Sequence, residues 1–493
     1  MKKVFIAIIG LLVVISSCTK LDEQLYDKIP EDMYPENPNQ VAAMAVAAYA
    51  PLKEYADDQG WWFLAQIISG DLVCGPTRGT DWYDGGKWVD MHTHEWTDNT
   101  EGVNRMWYHF WAGITDCNIT LDAMKSMTPN ETLKLKIKEV EAMRCFYYYL
   151  LIDNYGDVPY LTKFAGAPSQ PHKLPRKDIF DSLVVTMESA LPKLKRLDNK
   201  YMMTKYTAYA LLAKLYLNAE VYTGTPQWEK AEMYIDSVLA GPYNLAGDVL
   251  EPFKTNNDNS PEIIFSIPYD EDNFQGFRLH MRTLHYQHNL KYDMPVGPWN
   301  GFAIVPTHFE RYVDGDVRKD AYNIYGPQFD SQGNEIYDGT THEPLNINPI
   351  LPALSMSAAS YTATEIRTTG ARIGKYEIAM GAKENLSNDL PLFRISDFYL
   401  MKAEVLIRQG GNGDDWINEI RDRANVTPLS GATLEQLLDE RALELYCEGH
   451  RRQDLIRFGK FGNAWWEKAA TTPDKEIFPI PKWATDANPN LLQ

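Results

Sequence analysis

Seven of the 13 tryptophans cluster in one stretch, at Trp61, Trp62, Trp82, Trp88, Trp96, Trp107 and Trp111. Trp107 shares helical spacing with Phe110, Trp111 and Ile114, which places it in a core. Trp61 and Trp62 lead into Phe63, Leu64, Ile67 and Ile68, so at least one of them is buried. Trp82, Tyr83, Trp88 and Trp96 sit differently, among Gly79, Asp81, Asp84, Gly85, Gly86, Asp90 and Asp98. That is the composition of a loop, where large rings either pack locally or form an exposed patch that marks a binding site. Flat, electron-rich rings suit the C–H face of a pyranose, whose hydroxyl edge needs fixed carboxylates, amides or guanidinium groups. Arg78, Asp81 and Asp84 stand close enough in sequence to supply them. A second patch is Trp299 with Asn300, between Pro298 and Gly301 and near Tyr286 and Tyr292. We expect Trp82, Tyr83, Trp96 and Trp299 to converge into one platform, with Trp88, Arg78, Asp81 and Asn300 completing a ligand site.

Other chemistries find less support. No zinc-protease, serine-hydrolase, phosphate-loop or dinucleotide fingerprint occurs, so no cofactor is expected. His92 and His94, and the looser His280, His285 and His288, lack the converging spacing of metal ligands. Asp330 to Asp338 falls short of a calcium loop and reads as a turn. A carboxylate pair for glycoside hydrolysis is a spatial property that 67 acidic residues leave open.

The formal net charge of −19 repels phosphate backbones, which makes nucleic acid an unlikely partner. Lys2 and Lys3 followed by the apolar run Val4 to Ile15 form a secretory signal, too short to span a bilayer. Ile15-Ser16-Ser17-Cys18 resembles a bacterial lipobox, which predicts removal of residues 1–17 and lipid on Cys18. Several acyl chains on one residue would anchor the chain stably. Cys74, Cys117, Cys145 and Cys447 are widely spaced and read as isolated, mostly buried thiols.

The elements that must hold the aromatic loops are helical. Residues 18–39 are polar and carry Pro30, Pro35 and Pro38, as a tether would. Apolar residues at three- and four-residue steps predict helices over 41–55, 139–155, 178–191, 208–221 and 228–240. Helix returns at 393–409, 416–423 and 434–448, the last with Thr433 and Gln436 placed for a capping box. The helix pairs resemble degenerate tetratricopeptide repeats. Residues 248–390 are rich in Pro, Gly, Asn and Asp, so a loop-rich region with little β structure interrupts the scaffold of 40–247 and 391–460.

The last third is more specific. Glu440 to Leu445, continuing through Glu448-Gly449-His450-Arg451-Arg452-Gln453-Asp454 to Arg457, resembles the late helix and turn of the SusD/RagB family. Asp397 to Glu404 with Asn418 to Ala424, Tyr147 to Pro159, and Phe478-Pro479-Ile480-Pro481 with Asp486 to Asn490 resemble further segments of that family, in the same order. The resemblance implies a mainly α fold in one domain over residues 40–493. It also implies a lipoprotein exposed on a Gram-negative outer membrane, partnered with a SusC-like TonB-dependent transporter. Members bind glycans without performing chemistry, so glycan capture and delivery is the leading expectation. A peptide-binding member of the same uptake system, and a surface glycoside hydrolase, are the alternatives. Glu440, Arg441, Glu448, His450, Arg451 and Asp454 are assigned to architecture. For the anchor, Cys18→Ala is expected to leave the folded protein intact and to move it out of the membrane fraction. Retention there without the transporter, read by fractionation, would contradict a lipid on Cys18.

Overall fold

The computed structural model describes residues 38–197 and 199–492; Cys18 and residues 19–37 of the expected tether lie outside them. The scaffold helices are α1 (Pro38–Val46), α2 (Glu101–Ser126), α3 (Glu131–Tyr155), α4 (Arg176–Ala190), α5 (Lys205–Leu217) and α6 (Trp228–Leu239). After the loop-rich region come α7 (Ile395–Arg408), α8 (Asp414–Arg423), α9 (Leu434–Glu444) and α10 (Arg451–Arg457). They pack as neighbours in succession, α2 on α3, α3 on α4, α5 on α6, α6 on α7, and α7 on both α8 and α9. The fold is mainly α, built from tetratricopeptide-like helix pairs.

Local chemistry sets the boundaries. The helix expected over 41–55 changes at Val46 into a 3₁₀ segment, Ala47–Glu54, that contains Pro51. Proline has no N–H for the α-helical ladder and its ring clashes with the preceding turn, which fits the tighter winding. α3 starts at Glu131 rather than Glu139, because the Asn130 side chain accepts a hydrogen bond from Leu133 N at 2.9 Å. Gly113 of α2 lets Tyr147 of α3 lie against the backbone: a Cβ there would sit 2.4 Å from the ring. The capping box of Thr433 and Gln436 forms as expected. α9 ends at Glu444, not Glu448, because Cys447 and Gly449 take left-handed φ of 56° and 80°. That turn swings Glu448 back into the core.

Between the two helical blocks the chain is held by short strand pairs and by charge. β1 (Val73–Cys74) pairs antiparallel with β4 (Ala303–Ile304), and β2 (Thr77–Arg78) pairs parallel with β5 (Ser355–Met356). β3 (Ile263–Ile267) and β6 (Leu390–Arg394), near the two ends of the loop-rich region, pair antiparallel with Ile267 opposite Leu390. Behind them lies a buried ion network. Arg394 reaches Glu262 at 2.7 Å, Glu444 at 2.9 Å and Glu448 at 2.6 Å. Lys375 donates to Glu448 and to the carbonyls of Glu444 and Tyr446. A second network links Lys214 and Arg441 to Asp397, Arg441 and Arg457 to Asp454, and Arg457 to Glu404. The charged residues around 440–454 are thus architectural. The four cysteines after Cys18 are buried free thiols.

Removing one member of such a pair strands a buried charge, which costs about 3–5 kcal/mol. Burial alone would raise the Asp454 carboxyl, but Arg441 and then Arg457 outweigh it and hold it at about 2. An unfolded Asp titrates near about 3.9, so the folded state binds its proton more weakly. The stability this carboxylate supplies is full above about pH 4 and is lost as pH falls through about 2. Asp454→Asn is expected to lower unfolding free energy by about 3 kcal/mol or more at pH 7, and by less near pH 2. Denaturant titrations at both pH values check it; an equal loss at both would contradict the ion-pair account.

Candidate ligand-binding cleft

The aromatic loop is anchored from beneath. Arg78, buried on β2, donates to the carbonyls of Gly301 at 3.2 Å, Ile366 at 2.8 Å and Thr369 at 3.1 Å. Asn300 is fully buried, donates to Arg367 O at 3.0 Å and accepts from Arg372 at 2.8 Å. Both were expected to hold ligand, and both are corrected: their polar atoms are engaged in tying loops together. The segment 299–302 is in turn pinned to the backbone of the short helix Leu279–Thr283 and of Leu284, with Trp299 N on Met281 O at 2.7 Å and Phe302 N on Arg282 O at 2.7 Å.

Trp82 and Trp299, far apart in sequence, meet. The Trp82 indole Nε1 donates to the Trp299 carbonyl at 2.6 Å. Trp82 itself has a left-handed φ of 59°, as does Asp84 at 43°, followed by Gly85 at 70° and Gly86 at 87°. Such backbone is uncommon for non-glycine residues and is retained where the surroundings enforce it. The Trp82 ring lies against Gly301, where a Cβ would come within 2.1 Å of it. Its exposure is only 7 %, so it forms a wall with one edge open.

The other rings separate. Trp88, on the short helix Lys87–Thr93, is 1 % exposed, stacks on Trp61 at 4.6 Å and donates to Asp84 at 2.8 Å. It is floor, not platform. Trp96 is corrected outright: it is buried against His94, Phe461 and Phe478, away from Trp82. Tyr83 is 62 % exposed beside Trp82 but does not line the cleft. His92, His94, His280, His285 and His288 are buried, and each is hydrogen-bonded to backbone or paired with Asp338.

What remains is a cleft of about 440 Å³ lined by Asp81, Trp82, Asp84, Arg282, Tyr286 and Trp299, among others. Trp299 is half-buried, and the guanidinium carbons of Arg278 and Arg282 stand 5.7 and 5.4 Å from its ring centroid. Arg282 is steadied by Asp58 at 3.2 Å, and Arg278 by Asp57, Asp58 and Glu384. Burial, then the hydrogen bond its protonated form donates to Asp58, push the Asp57 carboxyl up to about 6, although Arg278 opposes them. Asp58 is held well below the usual carboxylate range because Asp57, Arg282 and Arg278 together outweigh its burial. Across the cleft Tyr286 donates its hydroxyl to Asp81, and the Arg367 guanidinium lies 4.6 Å from its ring centroid. Burial and then Asp81 push the Tyr286 phenol up to about 12, so it stays a donor. Arg278, Arg282 and Asp58 were missed in the sequence. The four-residue spacing of the two arginines, upstream of an aromatic loop, was the signal available.

Two family models match this chain. One, described as "SusD family", covers residues 261–475, and one described as "Starch-binding associating with outer membrane" covers residues 78–217. Between them the two matches take in most of the chain, which resembles the SusD/RagB family along that length. The starch-binding protein SusD of Bacteroides thetaiotaomicron is 27% identical over 456 residues, which span 84% of this chain and 82% of that protein. Surface glycan-binding protein A from Bacteroides thetaiotaomicron, solved in complex with laminarihexaose, aligns with a TM-score of 0.75 at 23% identity, covering 92% of this chain and 98% of that one. Surface glycan-binding protein A from Bacteroides uniformis gives 0.69 at 20% identity, covering 92% and 98%. At those identities the structures establish a shared SusD fold.

Because the Trp82 ring needs a bare backbone at residue 301, Gly301→Ala is expected to expel it. The overpacking should lower unfolding free energy by about 1–3 kcal/mol. Acrylamide quenching of indole fluorescence should rise with it. Unchanged stability and quenching would show that Trp82 does not depend on that contact.

Proposed function

We propose that this SusD/RagB-like protein captures a glycan in the cleft between Trp82 and Trp299 at the cell surface. It would then release the glycan into a SusC-like TonB-dependent transporter. The observation that carries the reading is the Trp299 ring, held by two guanidinium groups and facing a cleft rimmed by Asp81, Asp84 and Tyr286. Stacking of a sugar on that ring, with its hydroxyls bonded by the carboxylates and the phenol, is the mechanism. Relatives named for starch and laminarihexaose binding support the ligand class. Lipid on Cys18 would hold residues 40–493 as one unit at the outer membrane, beside the transporter.

The test is electrophoresis of the mature chain through native gels cast with plant, host and microbial polysaccharides. Retardation by at least one polysaccharide is expected. Trp299→Ala, checked for an unchanged fold by circular dichroism, should weaken binding about tenfold, equivalent to about 1.4 kcal/mol. No retardation on any gel would turn the reading toward peptides, and unaltered retardation of Trp299→Ala would move the site elsewhere.

A further inference from the structure

We propose that the bound glycan continues past Trp299 into a second cleft on the far side of Arg278, so that the protein selects neutral chains by their length. This rests on the function proposed above and adds a subsite to it. The second cleft, of about 560 Å³, is larger than the first. They meet at the Arg278 side chain. Arg278 lines the second cleft while its guanidinium carbon stands 5.7 Å from the Trp299 ring centroid, in the first. The same guanidinium holds Asp57, which lines the second cleft, and Asp58, which lines the first, the latter at 2.9 Å. A chain stacked on Trp299 therefore meets the second cleft as it leaves the first.

The second lining differs in kind. Gln59, Gln275 and Asn385 bring amides. Gln275 Nε2 is spent on Glu271 O at 2.8 Å and Asn385 Oδ1 on Gly276 N at 3.0 Å, which leaves the Gln59 amide, Gln275 Oε1 and Asn385 Nδ2 to bond hydroxyls. Gln59 and Gln275 are exposed to solvent. No aromatic ring stands among its described lining residues, so it can grip sugar edges but not stack their faces. Such a subsite adds affinity to a chain already held at Trp299 and holds little by itself, which is the arithmetic of linked sites. Its charge selects as well. Five carboxyl side chains, Glu54, Asp57, Glu271, Asp272 and Glu384, face the three cations Lys53, Arg278 and Lys383. Lys383 is occupied by Glu271 at 3.1 Å and Asp272 at 2.9 Å, and Arg278 by Asp57, Asp58 and Glu384. An acidic surplus with two of its three cations already paired repels sulfated or uronate chains and admits neutral ones.

The experiment is titration calorimetry of the mature chain with two neutral ladders, maltose to maltoheptaose and laminaribiose to laminarihexaose. In the ladder that binds, affinity is expected to rise at least tenfold from trimer to hexamer. Gln59→Ala with Gln275→Ala should erase that rise and leave trimer binding unchanged, while Trp299→Ala should weaken every length. A hexamer no tighter than a trimer, or a rise that survives the double change, would overturn the second subsite and leave the first intact. Failure of every member of both ladders to bind would overturn the selection of neutral chains by length, while retardation in the polysaccharide gels decides the first reading separately.

Discussion

Everything in this fold leans on the buried charges that gather around Glu444 and Glu448. The region between β3 and β6 has almost no sheet to hold it, since its strands are mostly two residues long. What it has instead is Arg394 bonded to three glutamates and Lys375 bonded to Glu448, all of them buried. Glu262 and Arg394 sit where the chain leaves and rejoins the helices. Glu444 and Glu448 come from the helical block itself. Buried ions of this kind are poor sources of net stability but are costly to break, so they favour one arrangement of loops over others.

The cleft inherits that order. With the loop-rich region fixed on the helices, Arg78, Asn300 and Arg372 can knit its strands to the aromatic loop through backbone carbonyls. Trp82 is then trapped over Gly301, and the carbonyl it bonds belongs to Trp299. Two of the polar groups expected to touch ligand, Arg78 and Asn300, are therefore one layer deeper, where they position the rings. The groups left facing the cleft are Asp81, Asp84, Arg282, Tyr286 and Trp299, among others.

Helices were legible because their signals are local. The capping box at Thr433 and the apolar steps of α3 to α7 act within one element, and the largest boundary errors came where a proline, an asparagine cap or a left-handed turn intervened. The meeting of Trp82 with Trp299 was anticipated from ring chemistry in two loops of similar composition. The fate of individual residues was not. Arg78 and Asn300 carry the same polar atoms whether they point to ligand or to carbonyls far along the chain, and only the fold decides between them. Trp96 sits in a glycine- and aspartate-rich stretch yet fills a hole beneath Phe461 and Phe478, which a one-dimensional reading cannot see.

The most direct measurement is a crystal structure of the mature protein with an oligosaccharide that retards it in gels. The account predicts a sugar ring stacked on Trp299, with hydroxyls bonded to Asp81 or Tyr286 and Trp82 unmoved beneath. A ligand bound elsewhere, with the Trp299 face bare, would contradict it.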